Sequence, residues 1–316
     1  VTLQKKQTAG ILAAFSSAFF LGLAPVFGKL AINLGFTPLA VVALRTSLAA
    51  ITLTIVILIF YRQYLYIFSV GLAGCLLAGA INGLGSVLYY LALERLNASV
   101  GQLLYSLYPL FVAIWLALDH QTPSRLTLIR IGLAMVAVVL LTSLPERSAD
   151  PIGVLMMLGA ATLYAMHLPI NQRVLFEAPA PTVALYTLLA MSAVVVPAYL
   201  IFDHAYPSGN VSLQPILGLT FVTVFSRLAL FLGVKKIGGM QTALLGLAEL
   251  LVAVAFSSWL LNENLSPLQW IGAAALGVSL ALALMEAPAP PARGKTGWLS
   301  WIRAPGLSKD IFGPYE

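Results

Sequence analysis

Charge is scarce in this chain. Lys, Arg, Asp and Glu make up 9% of its 316 residues, against about 25% in a typical soluble domain. That leaves too little polar surface to cover a water-soluble globule of this size. Cysteine is nearly absent. The single Cys75 excludes a disulfide framework within the chain. No Cys and His stand at ligand spacing, so the pattern offers no metal site and calls for no cofactor. Period-two alternation over ten residues is missing, which excludes a membrane β-barrel. H-E-x-x-H, G-x-S-x-G and paired intramembrane aspartates are missing too. An intramembrane enzyme would rest on one mid-span glutamate and one histidine, and we expect no catalysis. The net charge of +6 is scattered between apolar spans and forms no stripe, so nucleic acid is not a partner.

Apolar length is what the chain has in plenty: 60% of it is hydrophobic. A bilayer core needs about 20 residues of helix. Ten stretches approach that length: 10–32, 38–60, 69–92, 98–118, 126–143, 152–173, 180–202, 215–234, 240–260 and 268–285. Short connections rich in Pro, Gly, Asn and Asp separate them, as at Pro207-Ser208-Gly209-Asn210. The expected fold is an all-α membrane protein of ten transmembrane helices. The first stretch lacks a clear cleavage site and reads as a retained helix. With the N-terminus in the cytoplasm, twelve of the 17 Lys and Arg fall in inside loops and tails, and only Arg95 and Arg147 outside. That bias places both termini in the cytoplasm and suits a multi-pass protein of the plasma (inner) membrane. The tail, 286–316, opens with Ala287-Pro288-Ala289-Pro290-Pro291, which cannot continue a helix. Beyond it, Trp298, Leu299, Trp301 and Ile302 could lie along the membrane surface; the plainer expectation is a disordered tail.

The ten stretches form two similar groups of five, 10–143 and 152–285. An odd number of spans inverts the second copy, which is the plan of many secondary transporters. Pro25-Val26-Phe27-Gly28-Lys29 and Pro169-Ile170-Asn171-Gln172-Arg173 match at an offset of 144. Ser106 to Ala113 lies against Gly246 to Ala253 at an offset of 140, and Ile131-Gly132 against Ile271-Gly272 at the same offset.

These residues resemble the drug/metabolite transporter superfamily, in particular its EamA-type members with two five-helix repeats. The likeness covers about residues 10–285. It rests on Lys29 after a Pro-bearing first span, Arg45 in the second, and Ala92-Leu93 followed by Ala98-Ser99. Leu107-Tyr108-Pro109-Leu110 and Leu261-Asn262-Glu263-Asn264-Leu265-Ser266 complete it. The resemblance implies a central cavity lined by spans one, three, four, six, eight and nine. It implies alternating access and export of a small metabolite such as an amino acid. Rival readings are a sugar-phosphate or nucleotide-sugar antiporter and a non-transporting receptor or scaffold. The chain departs from the family pattern twice. Asp119-His120-Gln121-Thr122-Pro123 stands where a glutamate is usual before the fifth span, and Glu249 stands where Pro109 has its counterpart.

Ionisable groups inside a span are costly and therefore informative. Glu249 sits near the middle of span nine, while every other acid lies in a loop, a tail or at a span end. It is a candidate to bind a substrate amine or exchange a proton; its alternative is a packing residue. Passive exchange and proton coupling are both open. Arg227 lies roughly 10 Å inside span eight at 1.5 Å per residue. It could hold a carboxylate or phosphate through its planar fork, snorkel to the headgroups, or pair permanently with Glu249. Tyr164, His167 and Asn171 share one face of span six by their i, i+3, i+7 spacing. Asn82 and Ser86 do so on span three with Tyr89 or Tyr90, and Tyr105 and Tyr108 on span four with Gly101. Tyr89 and Tyr90 could equally belong to an interfacial belt. Pro25 and Pro169 are candidate hinges, and Lys29 and Arg45 candidate gating or structural cations. Ala78-Gly79-Ala80, Gly83 and Gly85 read as packing. The implied partners are a small-molecule substrate and the lipid bilayer, with the protein a monomer or homodimer.

Overall fold

Proline, threonine and aspartate set the helix starts. Thr37 caps Pro38–Phe60, its Oγ1 accepting from the Ala40 amide at 3.2 Å. Asp150 caps Pro151–Leu175, its Oδ1 accepting from the Ile152 amide at 3.1 Å. In both, proline fills the first helical position, where no amide donor is needed. The computed structural model describes residues 2–93, 95–96, 101, 104–121, 123–142, 150–203, 205, 207, 211–252, 255, 266–282 and 297–302. Among them only helices and turns occur. The helices are α1 (Thr2–Asn33), α2 (Pro38–Phe60), α3 (Ser69–Leu93), α4 (Tyr108–Leu118) and α5 (Arg125–Thr142). Then come α6 (Pro151–Leu175), α7 (Ala180–Phe202), α8 (Gln214–Gly246) and α9 (Pro267–Ala281).

Six stretches are long and apolar enough to cross a bilayer: Gln7–Ala24, Pro38–Phe60, Ser69–Ala92, Pro151–Leu175, Ala180–Phe202 and Gln214–Val252. Tyr108–Leu118 and Trp270–Ala281 are shorter apolar helices. Large apolar side chains face outward, with Phe60 70%, Ile201 72% and Leu155 73% exposed. A surface of that kind suits lipid.

Gln214–Val252 is not one rod. Gly238 has φ 83° and ψ 162° inside α8, a backbone region open in practice only to glycine. Gly233 lies against Thr242, so the chain folds back on itself at Gly238. The two limbs fall where the sequence places spans eight and nine. The rest of span nine beyond Val252 (save Ala255), Ala98-Ser99, Leu261 to Leu265, the loop with Arg147 and the Pro-rich 287–291 lie outside the described residues.

Packing crosses between the halves. α1 runs along α8, with Gly10 against Lys236 and Ile237, Ser17 bonded to the Ser226 carbonyl at 3.0 Å, and Gly218 against Phe27. Gly22 of α1 meets the other limb at Val252 and the Glu249 carbonyl. α3 runs along α6 in the same way: Gly74 meets Val174, Gly85 meets Leu163, and Gly153 meets Leu96. α2 packs on α7, and α5 on α9. Exchanging the halves therefore maps this packing onto itself. The α5–α9 contact carries a reciprocal pair: Arg130 Nε donates to the Ser279 carbonyl at 3.2 Å, and Ser279 Oγ donates to the Arg130 carbonyl at 3.0 Å.

Two helices break at matching positions. In repeat one, Ser106 and Leu107 form a turn, with Leu107 N donating to Leu104 O at 3.3 Å and Leu110 N to Leu107 O at 2.9 Å. In repeat two, Leu247 N donates to Leu244 O at 3.3 Å and Leu250 N to Leu247 O at 3.0 Å. These are i to i−3 bonds, tighter than the α-helical pattern. Each residue of the second set stands 140 after its counterpart.

Candidate functional site

The two breaks meet. Tyr108 Oη, just past the first, donates to the Ala243 carbonyl at 2.9 Å, just before the second. Tyr108 also opens a run of rings. Its centroid is 5.0 Å from that of Tyr164 on α6, which lies 5.5 Å from that of Tyr105. Tyr105 in turn lies 4.9 Å from Tyr89 on α3. Tyr108–Tyr164 and Tyr105–Tyr89 meet edge to face, as the ring quadrupole favours, while Tyr105 is tilted against Tyr164 and Tyr108. Four aromatic side chains from three spans thus make one wall. Tyr105 and Tyr164 keep partial exposure although they lie in the middle of the bundle.

A cation stands beside this wall. Arg227, from the first limb of α8, is met by Asn82 of α3. With the amide oxygen turned to the guanidinium, Asn82 accepts from Nη2 at 2.9 Å and Nη1 at 3.2 Å. His167 Nδ1 donates to the Tyr164 carbonyl. That bond fixes the tautomer, since a carbonyl can only accept. Nε2 is left as an acceptor 3.5 Å from Arg227 Nη1. The Met191 sulfur lies 4.0 Å from Nη2. Neutral acceptors orient the guanidinium, and no carboxylate lies within ion-pair distance of it among the described residues. Its charge is held but not cancelled.

Glu249 follows the second break by two residues. It is partly exposed. One turn before it, a Cβ at Gly246 would sit 2.6 Å from the Tyr108 hydroxyl, so this stretch lies against the tyrosine wall. Among the described residues it has no salt bridge, so a permanent Glu249–Arg227 pair is absent. One carboxylate and one guanidinium therefore share a tyrosine-lined site without neutralising each other.

The remaining candidates separate. Ser86 donates to the Asn82 carbonyl at 3.0 Å, within its own helix. Asn171 is fully buried; its Oδ1 accepts from Thr187 of α7 at 3.2 Å, and its Nδ2 has no hydrogen-bond partner among the described residues. Pro169 lies inside α6, which continues through it. The side chains of Pro25 and Lys29 lie outside the described residues. Arg45 on α2 has a buried Nε with no hydrogen-bond partner among the described residues. Gly79 and Gly83 face Thr187 to Val194 of α7. Met191 escaped the sequence because a thioether in an apolar span carries no polar signal. Tyr89 shares the stripe of Asn82 and Ser86, which was the available hint.

Comparison with known proteins gives the family and the fold. A model of the EamA-like transporter family matches residues 8–143 and again residues 151–285. The chain belongs to the EamA-like transporter family. It is thus a multi-pass membrane transporter for a small-molecule substrate, in a family of transporters and not of enzymes. A solved crystal structure of a protein superposes on this EamA-like chain with a TM-score of 0.73. It covers 88% of this chain and 97% of its own, at 15% identity. At that identity the likeness speaks for the fold. No curated protein matches the chain.

Proposed function

We propose that this EamA-like chain exports a small metabolite, such as an amino acid, from the cytoplasm across the plasma membrane. In this reading it crosses the membrane ten times, with both termini inside and the repeats 10–143 and 152–285 inverted. The halves rock about a central site, and Glu249 exchanges a proton or binds the substrate amine.

One observation carries the proposal. The two pseudo-equivalent broken helices meet where Glu249 and Arg227, with no ion pair among the described residues, stand beside a tyrosine wall. Discontinuous helices at a midplane site are a recurrent plan for substrate and ion binding. An ammonium and a carboxylate on one substrate would answer the two charges. Arg45 favours a second reading, exchange of a phosphorylated metabolite, because its buried Nε is a second guanidinium donor with no hydrogen-bond partner among the described residues.

The test is uptake of labelled amino acids, sugars, sugar phosphates and nucleosides into inside-out vesicles, at two external pH values. Glu249→Gln should cost about 1.5–3 kcal/mol of substrate affinity, roughly 10- to 150-fold. Loss of pH dependence in the variant would assign Glu249 as the proton site. Undiminished transport by Glu249→Gln would reduce it to a packing residue.

A further inference from the structure

The end of the bundle that carries Arg173, Lys235 and Lys236 is fastened by a device the cavity does not need. α4 ends there in a double hydrogen-bonded cap. His120 takes φ 58°, Gln121 N donates to Leu116 O at 2.8 Å and His120 N to Ala117 O at 3.0 Å. The cap turns Asp119 inward. Asp119 Oδ2 accepts from Arg173 Nη2 at 2.5 Å and Nε at 3.0 Å, and from Gln121 Nε2 at 2.9 Å. Both members of the ion pair are buried, at 3% and 0% side-chain exposure. Gln172, beside Arg173, donates to Gln121 at 3.0 Å and accepts from the Gly239 amide at 2.6 Å. This network ties α4 of one repeat to α6 of the other and to the turn between the limbs of α8.

The tail closes over it. The expectation of a disordered tail is overturned for residues 297–302. Leu299 N donates to Asp119 Oδ1 at 3.3 Å, using the carboxylate oxygen that Arg173 leaves. Gly297, at φ 109°, brings the backbone so close that a Cβ there would sit 2.4 Å from Asp119 Oδ1. Trp298 Nε1 donates to the Trp115 carbonyl at 3.3 Å, and the two indoles lie 5.5 Å apart. Leu299 and Ile302 are 0% and 3% exposed, and Ile302 reaches the start of α3 at Gly74. A peptide on the same chain as its seat is an intramolecular ligand, whose binding does not depend on protein concentration. It can leave and return without dissociating.

We propose that residues 297–302 are a strap that holds this end of the transporter shut, and that it must detach before the cavity can open there. The inference rests on the alternating-access reading. Opening at this end separates α4 from α6, which breaks the Asp119–Arg173 pair and the seat of Leu299 together.

Two measurements on the full chain, in a Cys75→Ala background, decide it. The first is labelling of Val174→Cys, which shares the seat at Gly74 with Ile302, by a membrane-impermeant maleimide applied from the tail side. Leu299→Asp with Ile302→Asp should speed labelling about tenfold or more; an unchanged rate overturns the strap. The second links Trp115→Cys to Trp298→Cys with a reducible bifunctional thiol reagent, which keeps Leu299 and Ile302 in place. Transport should stop on linking and return on reduction; transport that continues at full rate while linked overturns the proposal. If the unlinked parent moves no panel substrate, the transport reading fails, and the labelling result still decides whether 297–302 closes this end.

Discussion

Pro109 and Glu249 occupy equivalent places in the two repeats, and their helices break alike just before them. In repeat one the break has an obvious local cause, because proline cannot donate to the carbonyl four residues back. In repeat two the same i to i−3 bonds form at Leu247 with no proline nearby. The break thus belongs to the architecture. Proline is one way of accommodating it, and repeat two spends the position on a carboxylate instead. Duplication supplied the geometry twice, and divergence gave one copy the hydroxyl of Tyr108 and the other the charge of Glu249.

The broken helices are also anchored differently, and three substitutions separate the anchors. α4 is held at its far end by Asp119. Asp119→Asn removes the carboxylate charge from the buried pair with Arg173 and should cost about 3–5 kcal/mol, read as the largest fall in unfolding temperature in detergent. The second limb of α8 is held at its near end by the Gly238 turn. Gly238→Ala forces a side chain into a region that costs about 1–3 kcal/mol, and an unchanged unfolding temperature would mean the turn relaxes. The breaks are joined by one hydroxyl. Tyr108→Phe keeps the ring stack and removes the bond to Ala243 O, for about 1 kcal/mol; a loss as large as that of Asp119→Asn would contradict this ranking.

Much of this was legible in the sequence. Apolar length gave the helices, and the 140-residue offset paired Ser106 to Ala113 with Gly246 to Ala253 and so aligned the breaks themselves. The i, i+3, i+7 rule placed Tyr164 and His167 on one face. It could not separate Asn171, because a shared face does not say which neighbour a side chain meets, and Thr187 of α7 takes it. Arg227 was found by its depth in the span, but its partners Asn82 and Met191 come from helices whose crossing no periodicity encodes. The family resemblance makes Arg45 a gating or structural cation; that its Nε is buried without a partner among the described residues belongs to the tertiary structure. The docking of Leu299 and Ile302 was hidden for a different reason. Composition after the prolines looks like a sticky tail, and the seat that receives it is assembled from Asp119, Trp115 and Gly74 of two helices distant in sequence.

The smallest effect bears most directly on the comparison. Pro109→Ala restores an amide where repeat two already has one at Glu249. If proline caused the first break, the new amide would bond to the Tyr105 carbonyl, and the helix would run unbroken from Leu104 through Ser106 and Leu107 into α4. Because Leu247 turns without proline, we expect Leu107 to keep its turn in the variant. The regained donor and the lost packing of a buried ring are each about 1 kcal/mol, so stability should change by no more than about 1 kcal/mol. Hydrogen exchange of the segment 105–112 reads the difference. The added amide should exchange quickly while Leu110 N, bonded to Leu107 O, stays as protected as in the parent. A slowly exchanging amide at 109 would assign the first break to proline, and the likeness of the two breaks would then have two separate causes.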